Sequence, residues 1–146
     1  MRGALIVLSL LWLAGCASRP PSVGTASVVS TMMVKSTTSW DGAALPPYPE
    51  GTPEVTILRI IIPPGMRLPM HYHPVINAGV LVGGELTVVK DDGQRKHLKA
   101  GEALIEVVNT LHYGMNEGSE PAEIIVFYAG TEGGAITKMA ENKGEP

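Results

Sequence analysis

Short β-branched segments separated by glycine and proline turns constrain the fold of this chain more than any other feature. The clearest of them are VTILRIII at residues 55–62, INAGVLV at 76–82 and AEIIVFYA at 122–129. The chain holds 17 glycines and 12 prolines among 146 residues, and no stretch after residue 15 shows a helical period. Short strands with turns between them predict an all-β fold, either an antiparallel sandwich or a small barrel.

Shorter segments complete the predicted set of strands. The turn Asp91-Asp92-Gly93-Gln94 is typical of a tight hairpin, and it joins ELTVVK at 85–90 to a strand at 95–98. The remaining predicted strands cover residues 31–36, 103–108 and 135–138, the first and the last of them weakly.

Composition and charge exclude several classes of function. Hydrophobic residues make up 45% of the chain and charged residues 17%, which predicts a folded core rather than disorder. The net charge is -3 with no cluster of like charge, which argues against a nucleic-acid partner. The single cysteine excludes an intrachain disulfide. Neither a Gly-x-Ser-x-Gly motif nor a phosphate-binding glycine loop is present, so nothing indicates nucleophilic hydrolysis.

The first sixteen residues have the pattern of an exported protein. Arg2 precedes a mainly apolar run of ten residues at 4–13, too short to cross a bilayer, which needs about 20 residues of helix. The order Leu13-Ala14-Gly15-Cys16 resembles the lipobox of bacterial lipoproteins. That resemblance implies cleavage before Cys16 and acylation of its thiol, with palmitate for example, and Ala17 favours the outer membrane, facing the periplasm. An ordinary signal peptide with an incidental cysteine is the alternative.

The predicted organisation is a single domain carried on this leader. It comprises a signal peptide at 1–15, a lipidated cysteine and tether at 16–30, an N-terminal arm at 31–53, a barrel at 54–130 and a C-terminal tail at 131–146. Trp40 is expected to anchor the N-terminal arm onto the barrel.

Three histidines are predicted to carry the chemistry. His71-Tyr72-His73 places two imidazoles on one face of an extended segment, because side chains alternate along a strand. His112 follows the Asn109-Thr110 turn and completes a set of three if the fold brings the segments together. Imidazole nitrogen binds Fe, Mn, Ni, Cu and Zn, so a divalent transition metal is the predicted cofactor. An isolated pair of this kind is also typical of surface or core histidines.

The spacing around these histidines is similar to the two motifs of the cupin superfamily. In this chain the first motif reads Gly65, five residues, His71, His73, three residues, Asn77, six residues, Gly84. The second reads Gly101, five residues, Val107, Asn109, two residues, His112, three residues, Asn116. The resemblance covers about residues 54–130. It implies a double-stranded β-helix (a jelly-roll β-barrel) with the metal inside its wider mouth, and the sheet pairing that often makes cupins dimers.

Departures from the motifs affect the predicted metal site. Asn77 stands where cupins commonly have glutamate, the one anionic ligand beside three histidines. Asn77 offers a neutral carbonyl oxygen or swings away to hydrogen-bond, so an ion at this site would keep its full charge and attract an anionic ligand. Val107 and Asn109 replace proline and glycine, and asparagine tolerates the left-handed conformation that glycine usually supplies.

Three further residues are weaker candidates for the site. Glu106 precedes the second motif and can point into the barrel as a general base. Tyr113 and Tyr128 can hydrogen-bond a substrate or simply pack with their hydroxyl groups in water.

Two functions fit these observations. One is a metal-dependent oxidoreductase, resembling the cupin dioxygenases and acting on a small anionic substrate. The other is a non-catalytic protein that binds a small molecule or the metal itself. An envelope interaction protein with vestigial histidines is a third, weaker reading. An unperturbed imidazole pKa of about 6.5 predicts loss of the metal below about pH 6.

Overall fold

Residues 27–141 are described by the computed structural model of this protein, and they contain β-strands but no helix. The chain divides into two units, residues 1–30 and 31–146, and the second unit holds every described strand. The strands are β1 (Pro53–Ile62), β2 (His71–Tyr72), β3 (Ile76–Gly83), β4 (Glu85–Lys90), β5 (Arg95–Lys99), β6 (Ala103–Ile105), β7 (His112–Met115), β8 (Ala122–Thr131) and β9 (Lys138–Met139). The predicted all-β fold is confirmed.

The strands form two antiparallel sheets that the chain visits alternately. One sheet has the order β1-β8-β3-β6 and the other the order β5-β4-β7-β2-β9. Each connection crosses from one sheet to the other except the β4–β5 hairpin, which turns through the predicted residues 91–94. This repeated crossing is the jelly-roll arrangement of a double-stranded β-helix.

Alternation along the strands places the core between the two sheets. On β8 the even-numbered residues 122 to 128 are buried, while Phe127 is 41% exposed on the other face. Aliphatic residues dominate the buried cluster, with Leu81 and Leu98 fully inaccessible and Ile62 1% exposed. The interior is therefore filled mainly by β-branched and leucine side chains.

Two tight turns have a backbone with positive φ, one between β3 and β4 and one before His112. Gly84 has a φ of +69°, and a Cβ there would lie 2.4 Å from the carbonyl oxygen of Pro121, so only glycine fits. Asn109 has a φ of 54° and is the sole non-glycine residue with positive φ among residues 27–141. The prediction that Asn109 keeps the left-handed turn before His112 is confirmed.

The structure differs from the predicted strands near the ends. Residues 31–36 form no strand, since they are exposed and pair with no neighbour. Strand β6 ends at Ile105 rather than at residue 108, and β9 covers Lys138–Met139 rather than 135–138.

Trp40 holds the N-terminal arm in place, as expected. Its backbone N–H donates to the carbonyl of Ile105 at 2.9 Å and its ring packs against the core. The neighbouring Asp41 forms an ion pair with Lys90 at 2.9 Å. The signal peptide, Cys16 and most of the predicted tether lie outside the described residues. Within residues 27–141, the structure contains no helix of the length and hydropathy that crossing a bilayer requires.

Candidate metal centre

The three predicted histidines meet inside the barrel. His71 on β2 pairs directly with His112 on β7, and His73 follows two residues after His71 on the same face. The rings lie with centroids 4.6 to 5.1 Å apart. Their exposed fractions are 8% for His71, 6% for His73 and 2% for His112. We refer to these residues as the three-histidine site.

Backbone carbonyls orient all three imidazoles in the same way. The Nδ1 atom of each ring contacts a carbonyl oxygen, that of Pro69 for His71 at 2.7 Å and that of Thr110 for His112 at 2.8 Å. For His73 the carbonyl belongs to Ile136, at 2.9 Å. A carbonyl can only accept, so each Nδ1 carries the proton and each Nε2 keeps its lone pair.

The resulting donor set fits a divalent transition metal. One ligand atom from each ring lies within 4.8 Å of the others, and three neutral imidazole nitrogens suit Zn, Cu, Fe and Ni. Metal-binding histidines characteristically donate their second N–H to a carbonyl or carboxylate in this way. The three histidines could therefore hold a metal ion.

Burial keeps the histidines neutral. Desolvation lowers the pKa of His71 and His112, and it lowers the pKa of His73 to about 4. Neutral imidazole is the form that binds metal. The expectation of metal loss below about pH 6 assumed unperturbed imidazoles, and these lower pKa values move it to more acidic pH.

Asn77 lies in the same interior with an unpaired polar atom. It is 2% exposed on β3, and its Nδ2 has no hydrogen-bond partner among the described residues. Turning the amide over exchanges Nδ2 with Oδ1, so either a donor or an acceptor is left unpaired. A buried polar atom without a partner costs about 1–3 kcal/mol. The amide is thus free to pair with a ligand in the interior.

Glu106 also points inward, as the sequence suggested. It is 7% exposed, and burial raises its pKa to about 6. Its Oε1 accepts from the indole Nε1 of Trp40 at 2.7 Å and from the backbone N–H of Val107 at 2.8 Å. Its Oε2 lies 3.9 Å from the Nε2 of His112.

A mainly apolar cavity of about 250 Å³ opens beside these groups. Its polar lining consists of the three-histidine site with Asn77, Glu106, Tyr128 and Thr137. Aliphatic side chains supply most of the rest, among them Leu58, Ile60, Leu68, Leu86, Val88, Leu104, Ile124 and Val126. Such a cavity suits a small molecule with one polar end and an apolar body.

The two tyrosine candidates have different positions. Tyr128 lines the cavity with its ring 5.3 Å from that of His73, and burial raises its pKa to about 12. Tyr113 follows His112 on β7 and therefore faces the other side of the sheet, where the guanidinium of Arg67 lies 3.6 Å from its ring centroid. The structure does not bring Tyr113 to the site.

Sequence reasoning missed the contribution of the C-terminal segment. Strand β9 pairs with β2, with Met139 opposite His71, and the hydroxyl of Thr137 lies 3.1 Å from Nδ1 of His73. The sequence after residue 130 is rich in glycine and charge, so no motif indicated that this segment supports a ligand.

The chain is similar to proteins of one family. The family described as a cupin domain matches residues 58–128. An uncharacterized conserved protein with a double-stranded β-helix domain from Klebsiella pneumoniae is 25% identical with a TM-score of 0.52, covering 64% of this chain and 89% of that protein. No curated protein matches the sequence.

Two enzymes share the fold at lower identity. The DMSP lyase DddQ from Ruegeria pomeroyi is 19% identical with a TM-score of 0.53, covering 62% of this chain and 45% of that one. An oxalate oxidase in complex with the substrate analogue glycolate is 23% identical with a TM-score of 0.51, covering 59% and 46%. The chain spans less than half the length of either enzyme, and these likenesses establish the fold alone.

Proposed function

We propose, on the premise that residues 58–128 are a cupin domain, that this protein holds a divalent transition-metal ion in the three-histidine site and binds a small anionic molecule to it. The observation that carries this proposal is the orientation of the imidazoles. All three Nδ1 atoms contact backbone carbonyls, so the three Nε2 lone pairs face one another in a buried interior. Without a cation, three unpaired acceptors would share a poorly solvated space.

The cavity supports the same conclusion from its other residues. An ion held by neutral imidazoles retains a positive charge that attracts a carboxylate, thiolate or enolate. The unpaired amide of Asn77 can hydrogen-bond that group, and the aliphatic walls accommodate an apolar body. When bound, such an ion supplies Lewis-acid chemistry and, if it is Fe or Cu, redox chemistry.

An oxidation of the bound molecule, with molecular oxygen as the oxidant that takes up its electrons, is the reaction we propose. Glu106 and Tyr128 are the ionisable side chains other than histidine that line the cavity among the described residues. A buried carboxylate whose pKa is about 6 can hold or release a proton near neutral pH, which is the property required of a general base. Oxalate oxidase binds glycolate within this same fold, so a jelly-roll of this kind has room for a small carboxylate.

Non-catalytic capture is the second candidate. It is favoured by the scarcity of proton-transfer groups, since most of the cavity lining is aliphatic. Oxygen consumption by the Fe(II)-loaded protein with a panel of small carboxylates, thiols and enols separates the two. Turnover supports the oxidoreductase, whereas saturable binding without turnover supports capture.

Metal binding tests the proposal directly. The full chain, purified without a histidine affinity tag, should bind one divalent transition-metal ion per chain, measured by elemental analysis and by calorimetric titration. Mg²⁺ should not compete at millimolar concentration, because it prefers oxygen ligands. A protein that takes up no Fe, Mn, Co, Ni, Cu or Zn would exclude this function.

We extend the proposal to the location of the protein, as a lipoprotein of the outer membrane facing the periplasm. The support is Leu13-Ala14-Gly15-Cys16 followed by Ala17, which lie outside the described residues. The mature chain should begin at an acylated Cys16, and Cys16→Ser should release the protein from the membrane fraction. Mass spectrometry that finds an unmodified thiol would contradict this.

A second copy of the chain is the partner we propose for the outer face of the four-stranded sheet. Ile57, 64% exposed, pairs with Phe127, 41% exposed, and Ala78 lies beside Phe127 on the third strand. Contiguous exposed apolar surface of this kind marks an interaction site. Light scattering should give twice the mass of one chain, and Ile57→Asp should give the single-chain mass. A wild-type monomer at high concentration would contradict the dimer.

A further inference from the structure

The cavity contains a carboxylate at a position where the cupin motifs provide none. The first motif places its glutamate at position 77, where this chain has asparagine. Glu106 is the one carboxylate that lines the cavity among the described residues. It belongs to the segment that follows β6, not to β3.

Positions 77 and 106 are neighbours across the two strands. Ala78 pairs with Ile105, and the backbone N–H of Glu106 donates to the carbonyl of Asn77 at 3.1 Å. A side chain at position 106 therefore enters the barrel beside the one at position 77. The negative charge missing from one strand is present on the adjacent segment.

The carboxylate of Glu106 is held with one oxygen directed toward the histidines. Oε1 already accepts from Trp40 and from the backbone of Val107, whereas Oε2 has no hydrogen bond to any residue within 27–141 and lies 3.9 Å from Nε2 of His112. Two ligands about 2.1 Å from one cation lie roughly 3 Å apart at a right angle and about 4.2 Å apart when opposite. The observed separation falls within that range.

We propose that Glu106 is the anionic ligand of the three-histidine site, taking the role that the residue at position 77 has in other cupins. This inference rests on the proposed function, because it assigns a residue to the same metal ion. A carboxylate bound to the ion is a weak base, so Glu106 then serves as a ligand in place of the general base. Trp40 acts as a positioning residue: its indole N–H fixes Oε1 and so orients Oε2. The N-terminal arm thereby becomes part of the metal site.

Cobalt titration of the full chain tests this role. Co²⁺ reports both affinity and ligand set, since its visible absorption depends on the donor atoms. Glu106→Gln keeps the shape and removes the charge, and it should weaken Co²⁺ binding about 10- to 100-fold and change the absorption spectrum at saturation. The matched control is Glu85→Gln, which removes an exposed carboxylate on β4 and should leave both unchanged.

Two further variants distinguish ligation from a structural role. The double variant Glu106→Gln/Asn77→Glu returns the carboxylate to its usual strand. It should bind Co²⁺ at least about tenfold more tightly than Glu106→Gln does. Trp40→Phe should weaken binding a few-fold in the wild-type background and not at all in Glu106→Gln, because its effect passes through the carboxylate. Thermal melting without metal checks that each variant is folded.

The outcomes separate this inference from the proposed function. A wild-type chain that binds neither Co²⁺ nor any of Fe, Mn, Ni, Cu and Zn overturns both. A wild-type chain that binds Co²⁺ while Glu106→Gln binds it equally well, or with an unchanged spectrum at saturation, overturns the role of Glu106 and leaves the three-histidine site standing. Loss in Glu106→Gln together with recovery in the double variant supports the proposal.

Discussion

Replacing His112 with alanine should abolish metal binding, lowering affinity by at least about 1000-fold. His112 supplies one of the three Nε2 atoms, is 2% exposed and pairs directly with His71 across β2 and β7. Removing a residue that hydrogen-bonds to a metal ligand typically lowers metal affinity about 10- to 100-fold. Loss of the ligand itself should therefore lower the affinity more. Calorimetric titration with Zn²⁺ or Co²⁺ measures the effect.

His97→Ala is the matched control for this prediction. His97 is an exposed histidine on β5 whose Nδ1 lies 3.0 Å from the hydroxyl of Thr87, and it does not belong to the cavity lining within residues 27–141. Its removal should leave the affinity unchanged. Equal binding by His112→Ala and the wild type, or equal losses in both variants, would show that the ion binds elsewhere. Melting curves without metal separate a lost ligand from a lost fold.

Much of this site could be predicted because its residues obey local periodicity. His71 and His73 share a face because side chains alternate along an extended segment, and Glu106, which the sequence allowed to point inward, lines the cavity two residues after Leu104. The same rule excludes Tyr113, since its neighbour His112 already points into the barrel. Position along a strand therefore determined which candidates reach the cavity.

Contacts between distant segments could not be predicted in this way. The carbonyl of Ile136 orients His73 from 63 residues away, and a backbone carbonyl leaves no signature in the sequence. The hydrogen bond from Trp40 to Glu106 spans 66 residues, although the sequence did indicate that Trp40 anchors the arm. Tertiary pairing, not local pattern, decides which groups orient the ligands.

Metal-free protein should lose stability as the pH falls from 7 to 5. Burial lowers the pKa of the three histidines in the folded chain, that of His73 to about 4, while the unfolded imidazoles keep a pKa of about 6.5. Between about pH 6.5 and 4 the imidazoles of the unfolded chain therefore bind protons while those of the folded chain stay neutral. Unfolding becomes more favourable as the pH falls. From pH 7 to pH 5 His73 alone should lower the free energy of unfolding by about 2 kcal/mol.

Glu106 has the opposite effect and provides the internal check. Burial raises its pKa to about 6, so the folded chain accepts this proton more readily than the unfolded chain, which offsets about 1 kcal/mol of the loss over the same range. Glu106→Gln removes that offset and should make the acid destabilisation steeper. Urea unfolding in the presence of a chelator at pH 7, 6 and 5 measures how the free energy of unfolding changes with pH in the wild type and in Glu106→Gln. A free energy of unfolding that stays constant or rises on acidification would show that the histidines are not buried as neutral groups.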